Sequence, residues 1–92
     1  MHLIVSYDIV DDYRRLRVSK FLRGYLERVQ KSVFEGKIAE RRFEALRQGL
    51  AKRVDRKDDS VRIWHVCERC TGMMEVIGTG SYVGDNSEDI LV

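Results

Sequence analysis

Cysteine is scarce in this chain of 92 residues, which holds two, Cys67 and Cys70. Two thiols are too few for a disulfide scaffold, and their scarcity agrees with a reducing compartment. No apolar run approaches the roughly 20 residues that a membrane-spanning helix needs. The N-terminus also lacks the basic stretch followed by an apolar one that marks a secretory leader. A cytoplasmic protein without membrane association is therefore expected. Internal repeats, low-complexity tracts and any break marking a second domain are missing as well, so residues 1–92 read as one domain, with a core over 1–78 and a tail over 79–92. A domain this short buries only roughly 60–65% of its unfolded surface, which leaves room for burial against a partner.

What is present is an ordinary globular composition, 43% hydrophobic and 35% charged, whose small net charge of +2 hides a strong asymmetry. Residues 14–57 carry 15 Lys/Arg against 5 Asp/Glu, while residues 1–13 contribute −3 and residues 58–92 contribute −5. Such a block attracts a polyanion, because each phosphate it neutralises releases counterions. On charge excess alone, the same residues are more simply read as solvated helix faces.

The chain is organised around Leu3-Ile4-Val5-Ser6-Tyr7-Asp8, a β-rich apolar run that ends on a carboxylate. Functional groups collect at such strand ends, although Asp8 also suits a turn shared with Asp11 and Asp12. Asp11 or Asp12 caps a helix predicted over 12–23, with Tyr13, Leu16, Phe21, Leu22 and Tyr25 as its core stripe, Val18 beside them, and Gly24 as its stop. Arg14, Arg17 and Lys20 lie three apart on another side. Arg15 and Arg17 are close enough to the helix start to reach back toward Asp8. Alternation over 26–35 predicts one strand that Gly36 ends. Ala39, Phe43, Leu46, Leu50 and Val54 then repeat at helical spacing, the helix interrupted only by Gly49, which costs up to ~1 kcal/mol relative to Ala. A strand at 61–66 and a short strand at Met74–Ile77 complete the expected order β1-α1-β2-α2-β3-β4. This is an α+β, ferredoxin-like arrangement with an antiparallel sheet and both helices on one face.

Four segments carry a resemblance more specific than the fold: Tyr7-Asp8-Ile9-x-Asp11; Arg15-x-Arg17-Val18-x-Lys20-x-Leu22; Arg28-Val29-Gln30-x-Ser32-Val33-Phe34-Glu35; and Ser60-Val61-Arg62-Ile63-Trp64 ahead of the two cysteines. Over residues 2–78 the chain resembles the small CRISPR-associated endonuclease family, the lesser partner of the spacer integrase. The resemblance implies a cytoplasmic prokaryotic homodimer, with the Asp8 residues of two protomers facing each other near the two-fold axis. It further implies metal-dependent cleavage of single-stranded RNA or duplex DNA, and a scaffolding role between integrase dimers. By position, Asp8 matches the metal-binding acid, with Mg²⁺ or Mn²⁺ as its cation, and Tyr7, Arg15, Arg17, Arg28 and Phe34 match residues around the site. C-terminal strands of this family often join the partner's sheet, and Ile90-Leu91-Val92 suits that role.

Phosphodiester cleavage needs a nucleophilic water and stabilisation of charge on phosphate, which a hard cation on carboxylate oxygen supplies. Arg14, Arg15, Arg17, Lys20 and Arg28 are the residues expected to hold phosphate oxygens, the arginines through forked donors. One convincing carboxylate per protomer is thin, so the metal reading requires two Asp8 side chains from a dimer. Neither histidine is placed as a general base: His2 starts the first strand, and His65 shares the face of Val61 and Ile63 as a core or boundary residue. The Cys67-Glu68-Arg69-Cys70 pair is most simply a turn with two semi-buried thiols, since zinc wants four ligands and no second pair exists. The alternative to an enzyme is a non-catalytic adaptor that binds duplex DNA and the integrase. An RNA-binding module of the same fold lacks its aromatic sheet motif, while a toxin-like ribonuclease shares the fold.

Overall fold

A computed structural model describes residues 1–78. Its elements run β1 (His2–Asp8), α1 (Asp12–Leu22), β2 (Glu27–Gln30), β3 (Val33–Lys37), α2 (Glu40–Arg53), β4 (Ser60–Val66) and a single-turn α3 (Glu68–Thr71). The four strands form one sheet in the order β2-β3-β1-β4. Every neighbouring pair is antiparallel. The ferredoxin-like class is as expected, in the order β-α-β-β-α-β.

Strand assignment differs from expectation in two places. The single strand expected over 26–35 is a hairpin: β2 and β3 pair across a turn at Lys31-Ser32, with the register slipping between Arg28 and Gln30. That slip lets the alternation continue through the turn, and no glycine announces it. Strand β3 also runs through Gly36 to Lys37 rather than ending there. Met74–Ile77, expected as the last strand, is not in a strand; β4 is followed by the α3 turn instead. The proposed pairing of Ile90-Leu91-Val92 lies outside the described residues.

Alternation along β1 sends Leu3, Val5 and Tyr7 to one face, where Phe34 joins them and both helices cover them through Val18, Leu22, Leu46 and Leu50. Helix α1 is capped by Asp11, whose carboxylate accepts the Arg14 N–H at 2.8 Å. Its buried stripe is Val18, Ser19 and Leu22. Tyr13 and Leu16, expected in the core, are 63% and 56% exposed. The reason is angular: Leu16 sits about 200° around the helix from Val18, so one face cannot hold both.

The other face of the sheet carries Ile4, Ser6, Val33, Trp64 and Val66 around an open groove of about 650 Å³. At the lower end of this face His2 is buried, with Nε2 2.7 Å from Glu35 Oε2. His65 is exposed, its ring edge-on to Phe43 at 4.9 Å.

Candidate functional site

Asp8 ends β1 opposite Ser60 of β4 and is exposed. Its carboxylate has neither an ion pair nor a side-chain hydrogen bond among the described residues. Immediately beneath it, Tyr7 is buried and acts as a clamp. Its N–H donates to Ser32 O at 3.1 Å. Its hydroxyl donates to Lys31 O at 3.2 Å. Its ring lies 6.2 Å from that of Phe34. Tyr7 thereby ties the tip of the β2–β3 hairpin to the strand end that carries Asp8. Both Tyr7 and Phe34 lie in the core, so they position the site rather than line it.

Two arginines share this end of the sheet. Arg15 wraps back over the β1–α1 loop, donating to Ile9 O at 3.3 and 3.2 Å and to Val10 O at 3.4 Å, while pairing with Asp12 at 2.7 Å. It thus reaches the residue directly after Asp8, as the helical spacing leads one to expect. Arg14 is tied to Asp59, Nε to Oδ2 at 2.8 Å and Nη2 to Oδ1 at 3.2 Å. Asp59 also accepts from the N–H groups of Val10 and Asp55. The Arg14 hydrogen bond, with help from those two N–H groups, holds the Asp59 carboxyl far below the usual carboxylate range, and Arg14 is raised in turn. Sequence reasoning missed Asp59, whose place in a run of five charged residues resembles a solvated linker.

The remaining basic residues form two further groups. Arg17, Lys20, Phe21 and Arg53 line a shallow pocket of about 330 Å³ between α1 and α2. The Arg53 guanidinium lies 4.1 Å from the centre of the Phe21 ring, and that of Arg17 lies 5.9 Å from the centre of Tyr13. Arg28, on the edge strand, faces the helix side, donating to Ser19 Oγ at 3.1 Å with its guanidinium 5.7 Å from the Phe34 ring centre. Asp8, by strand alternation, belongs with Ser6 on the opposite side. Of the expected site residues, then, Asp8, Arg14 and Arg15 share one end of the sheet without touching, while Arg17, Lys20 and Arg28 lie elsewhere on the same protomer.

No cluster of three or more His, Cys, Asp or Glu side chains able to hold a metal occurs among the described residues. A hard cation that keeps most of its waters needs only one or two carboxylates plus substrate phosphates. The uncommitted Asp8 carboxylate fits that requirement, provided the substrate or a second copy supplies the rest.

These features define a ferredoxin-like α+β protein with a free acid and two arginines at one end of its sheet. The chain belongs to the family described as CRISPR associated protein Cas2, which it matches over residues 1–74. The CRISPR-associated endoribonuclease Cas2 1 of Chloroflexus aurantiacus is 39% identical over 93 aligned positions, covering 100% of this chain and 99% of its own. A crystal structure of Streptococcus pyogenes Cas2 at pH 6.5 superposes with a TM-score of 0.75 at 29% identity, covering 85% of this chain and 100% of that one. A chain of a partial Cas6-RT-Cas1–Cas2 complex shares the fold, with a TM-score of 0.74 at 21% identity over 94% of this chain and 93% of that one. No helix among the described residues is long and apolar enough to cross a membrane.

Proposed function

We propose that this protein is a homodimeric, cytoplasmic endonuclease that cleaves phosphodiester bonds of RNA or duplex DNA, and that it serves spacer acquisition in complex with a CRISPR integrase. The observation that carries the reading is Asp8: an exposed carboxylate with no partner among the described residues, at the end of a strand that Tyr7 fixes and Arg15 flanks. The relative in Chloroflexus aurantiacus is named an endoribonuclease, which supports the reaction class. The likeness to a chain from an assembly named for Cas1 and Cas2 is in keeping with the partner.

In this reading Asp8 of each protomer would hold Mg²⁺ or Mn²⁺, which would supply charge neutralisation at the phosphate and a more acidic water. Arg15 keeps the loop after Asp8 folded back and presents its guanidinium at the same end of the sheet. Arg14 is committed to Asp59, so its part is to hold the loop before β4 against α1 while adding positive potential. Arg17, Lys20 and Arg28 serve to hold flanking phosphates rather than the scissile one. Tyr7 and Phe34 act through the position of the strand end.

The test is cleavage of labelled single-stranded RNA and duplex DNA by the wild type and by Asp8→Asn, each with Mg²⁺ and with EDTA. Metal-dependent cleavage by the wild type is expected, reduced about a hundredfold or more in the variant. Unchanged cleavage by Asp8→Asn removes Asp8 from the chemistry. Absence of cleavage by both proteins, with duplex binding retained, favours the non-catalytic adaptor, a reading that the single carboxylate of each protomer keeps open.

A further inference from the structure

Cys67 and Cys70, expected as semi-buried thiols of a plain turn, are both exposed and free. Cys67 is the residue before the α3 turn, and its sulfur accepts the Cys70 N–H at 3.3 Å. Thr71 braces the turn from behind, its hydroxyl donating to Cys67 O at 3.0 Å. The two sulfurs thus sit on one side of a single helical turn, the three-residue spacing that brings Cα atoms within reach of a disulfide. Both line the open groove on the outer face of the sheet, beside Trp64 and Val66. Neither the fold nor the nuclease reading uses them, and neither cysteine contributes to the core.

We propose that Cys67 and Cys70 form a thiol–disulfide exchange site, with Cys67 as the attacking thiolate and Cys70 as the resolving thiol, open to small disulfides of the glutathione type. Three features separate the roles. The Cys70 N–H and then the Cys70 thiol hydrogen-bond to the Cys67 sulfur and lower its pKa, while the same thiol hydrogen bond raises that of Cys70. Exposure lets a disulfide approach in line. Adjacency lets Cys70 intercept the product.

In the first step the Cys67 thiolate bonds to one sulfur of glutathione disulfide, the disulfide's S–S bond breaks, and one glutathione thiolate leaves. In the second, the Cys70 thiol gives up its proton and attacks Cys67 Sγ, forming the Cys67–Cys70 bond and releasing the second glutathione. Two protein thiols are oxidised, one glutathione disulfide is reduced to two glutathiones, and the two protons lost by the cysteines end on the leaving thiolates. The groove thereby acquires a wall whose covalent state follows the thiol poise of its surroundings.

The full-length protein is equilibrated in glutathione redox buffers of graded ratio, quenched in acid, and weighed by intact mass after maleimide labelling. Both thiols are expected to disappear together, with the loss of two hydrogens and no retained glutathione. Cys70→Ser is expected to trap one glutathione on Cys67, and Cys67 to alkylate about tenfold faster than Cys70 at neutral pH. Two thiols that persist in excess oxidised glutathione, or that each retain a glutathione independently, overturn the proposal. Equal alkylation rates overturn the assignment of roles, and faster alkylation of Cys70 reverses it. Nuclease activity enters none of these readouts, so the result stands apart from the role of Asp8.

Discussion

Gly49 shows how one residue answers to tertiary rather than local demands. In helix α2 its expected cost is up to ~1 kcal/mol relative to Ala, and nothing in the helical pattern explains why it is there. A Cβ at this position would meet Phe21 of α1 at 2.1, 2.6 and 2.8 Å from three ring atoms. The ring cannot simply swing away, because Tyr25 lies 5.1 Å from it and the Arg53 guanidinium covers it at 4.1 Å. Gly49 also offers its carbonyl to Arg53 Nη1 at 2.9 Å, so the same residue seats both ring and cation. Overpacking of this kind costs about 1–3 kcal/mol, which outweighs the helical gain. Gly49→Ala is therefore expected to lower stability by about 1–2 kcal/mol in urea unfolding. In a Phe21→Ala background the same change is expected to stabilise by up to ~1 kcal/mol. Failure of the sign to reverse would show that Phe21 is not the obstacle. Asp8, by contrast, was legible from the sequence as the end of an apolar strand, because strand position and residue type are both local. The role of Tyr7 was not, since its partners Ser32 and Lys31 are set by the sheet.

Between elements, the decisive tie joins the start of α1 to the loop before β4. Asp59 accepts from Arg14, Val10 N and Asp55 N at once, pinning the chain between Val54 and Ser60 beside the β1–α1 loop. Its carboxyl is depressed below the ordinary value of 3.8. A depressed acid contributes stability that is fully present above its unfolded pKa and is lost as pH falls through the folded one. Stability should thus be flat near neutrality with respect to Asp59 and fall away below about pH 4. Glu44, lowered by Arg47 and Gln48, adds to the same acid limb. Urea midpoints measured from neutral to strongly acid pH are expected to show a shallower acid limb for Asp59→Asn than for wild type; superimposable limbs would rule Asp59 out as its source. Element scale is also where sequence reading went furthest wrong. Helices α1 and α2 and strands β1 and β4 announce themselves by period. The β2–β3 hairpin does not, because β2 is an edge strand exposed along its whole length and a register slip preserves the alternation through the turn.

For the molecule as a whole, the sheet is covered on one side only among the described residues. The helices bury Leu3, Val5, Tyr7 and Phe34, whereas Ile4, Ser6, Val33, Trp64 and Val66 surround an open groove, with Trp64 46% exposed. A tryptophan left that open in the middle of the edge strand β4 is the kind of anchor that carries association energy. A second copy is the occupant that the dimer reading requires, and a two-fold pairing over the strands of this face, short of the turn past β4 that carries Cys67 and Cys70, would give a short chain the burial it lacks alone. The basic groups lie along α1, between α1 and α2, and on β2 facing the helices, so they would stay free for phosphate when the outer face is covered. Trp64→Glu places a charge on that face beside Ile4 without touching the helix-side core. Sedimentation equilibrium is expected to find wild type dimeric and Trp64→Glu at least roughly 30-fold weaker in self-association, the equivalent of about 2 kcal/mol. Circular dichroism of the variant should retain the wild-type signature. A variant that folds and dimerises as wild type does would move the interface off this face. It would also deprive the two Asp8 side chains of the simplest geometry for meeting.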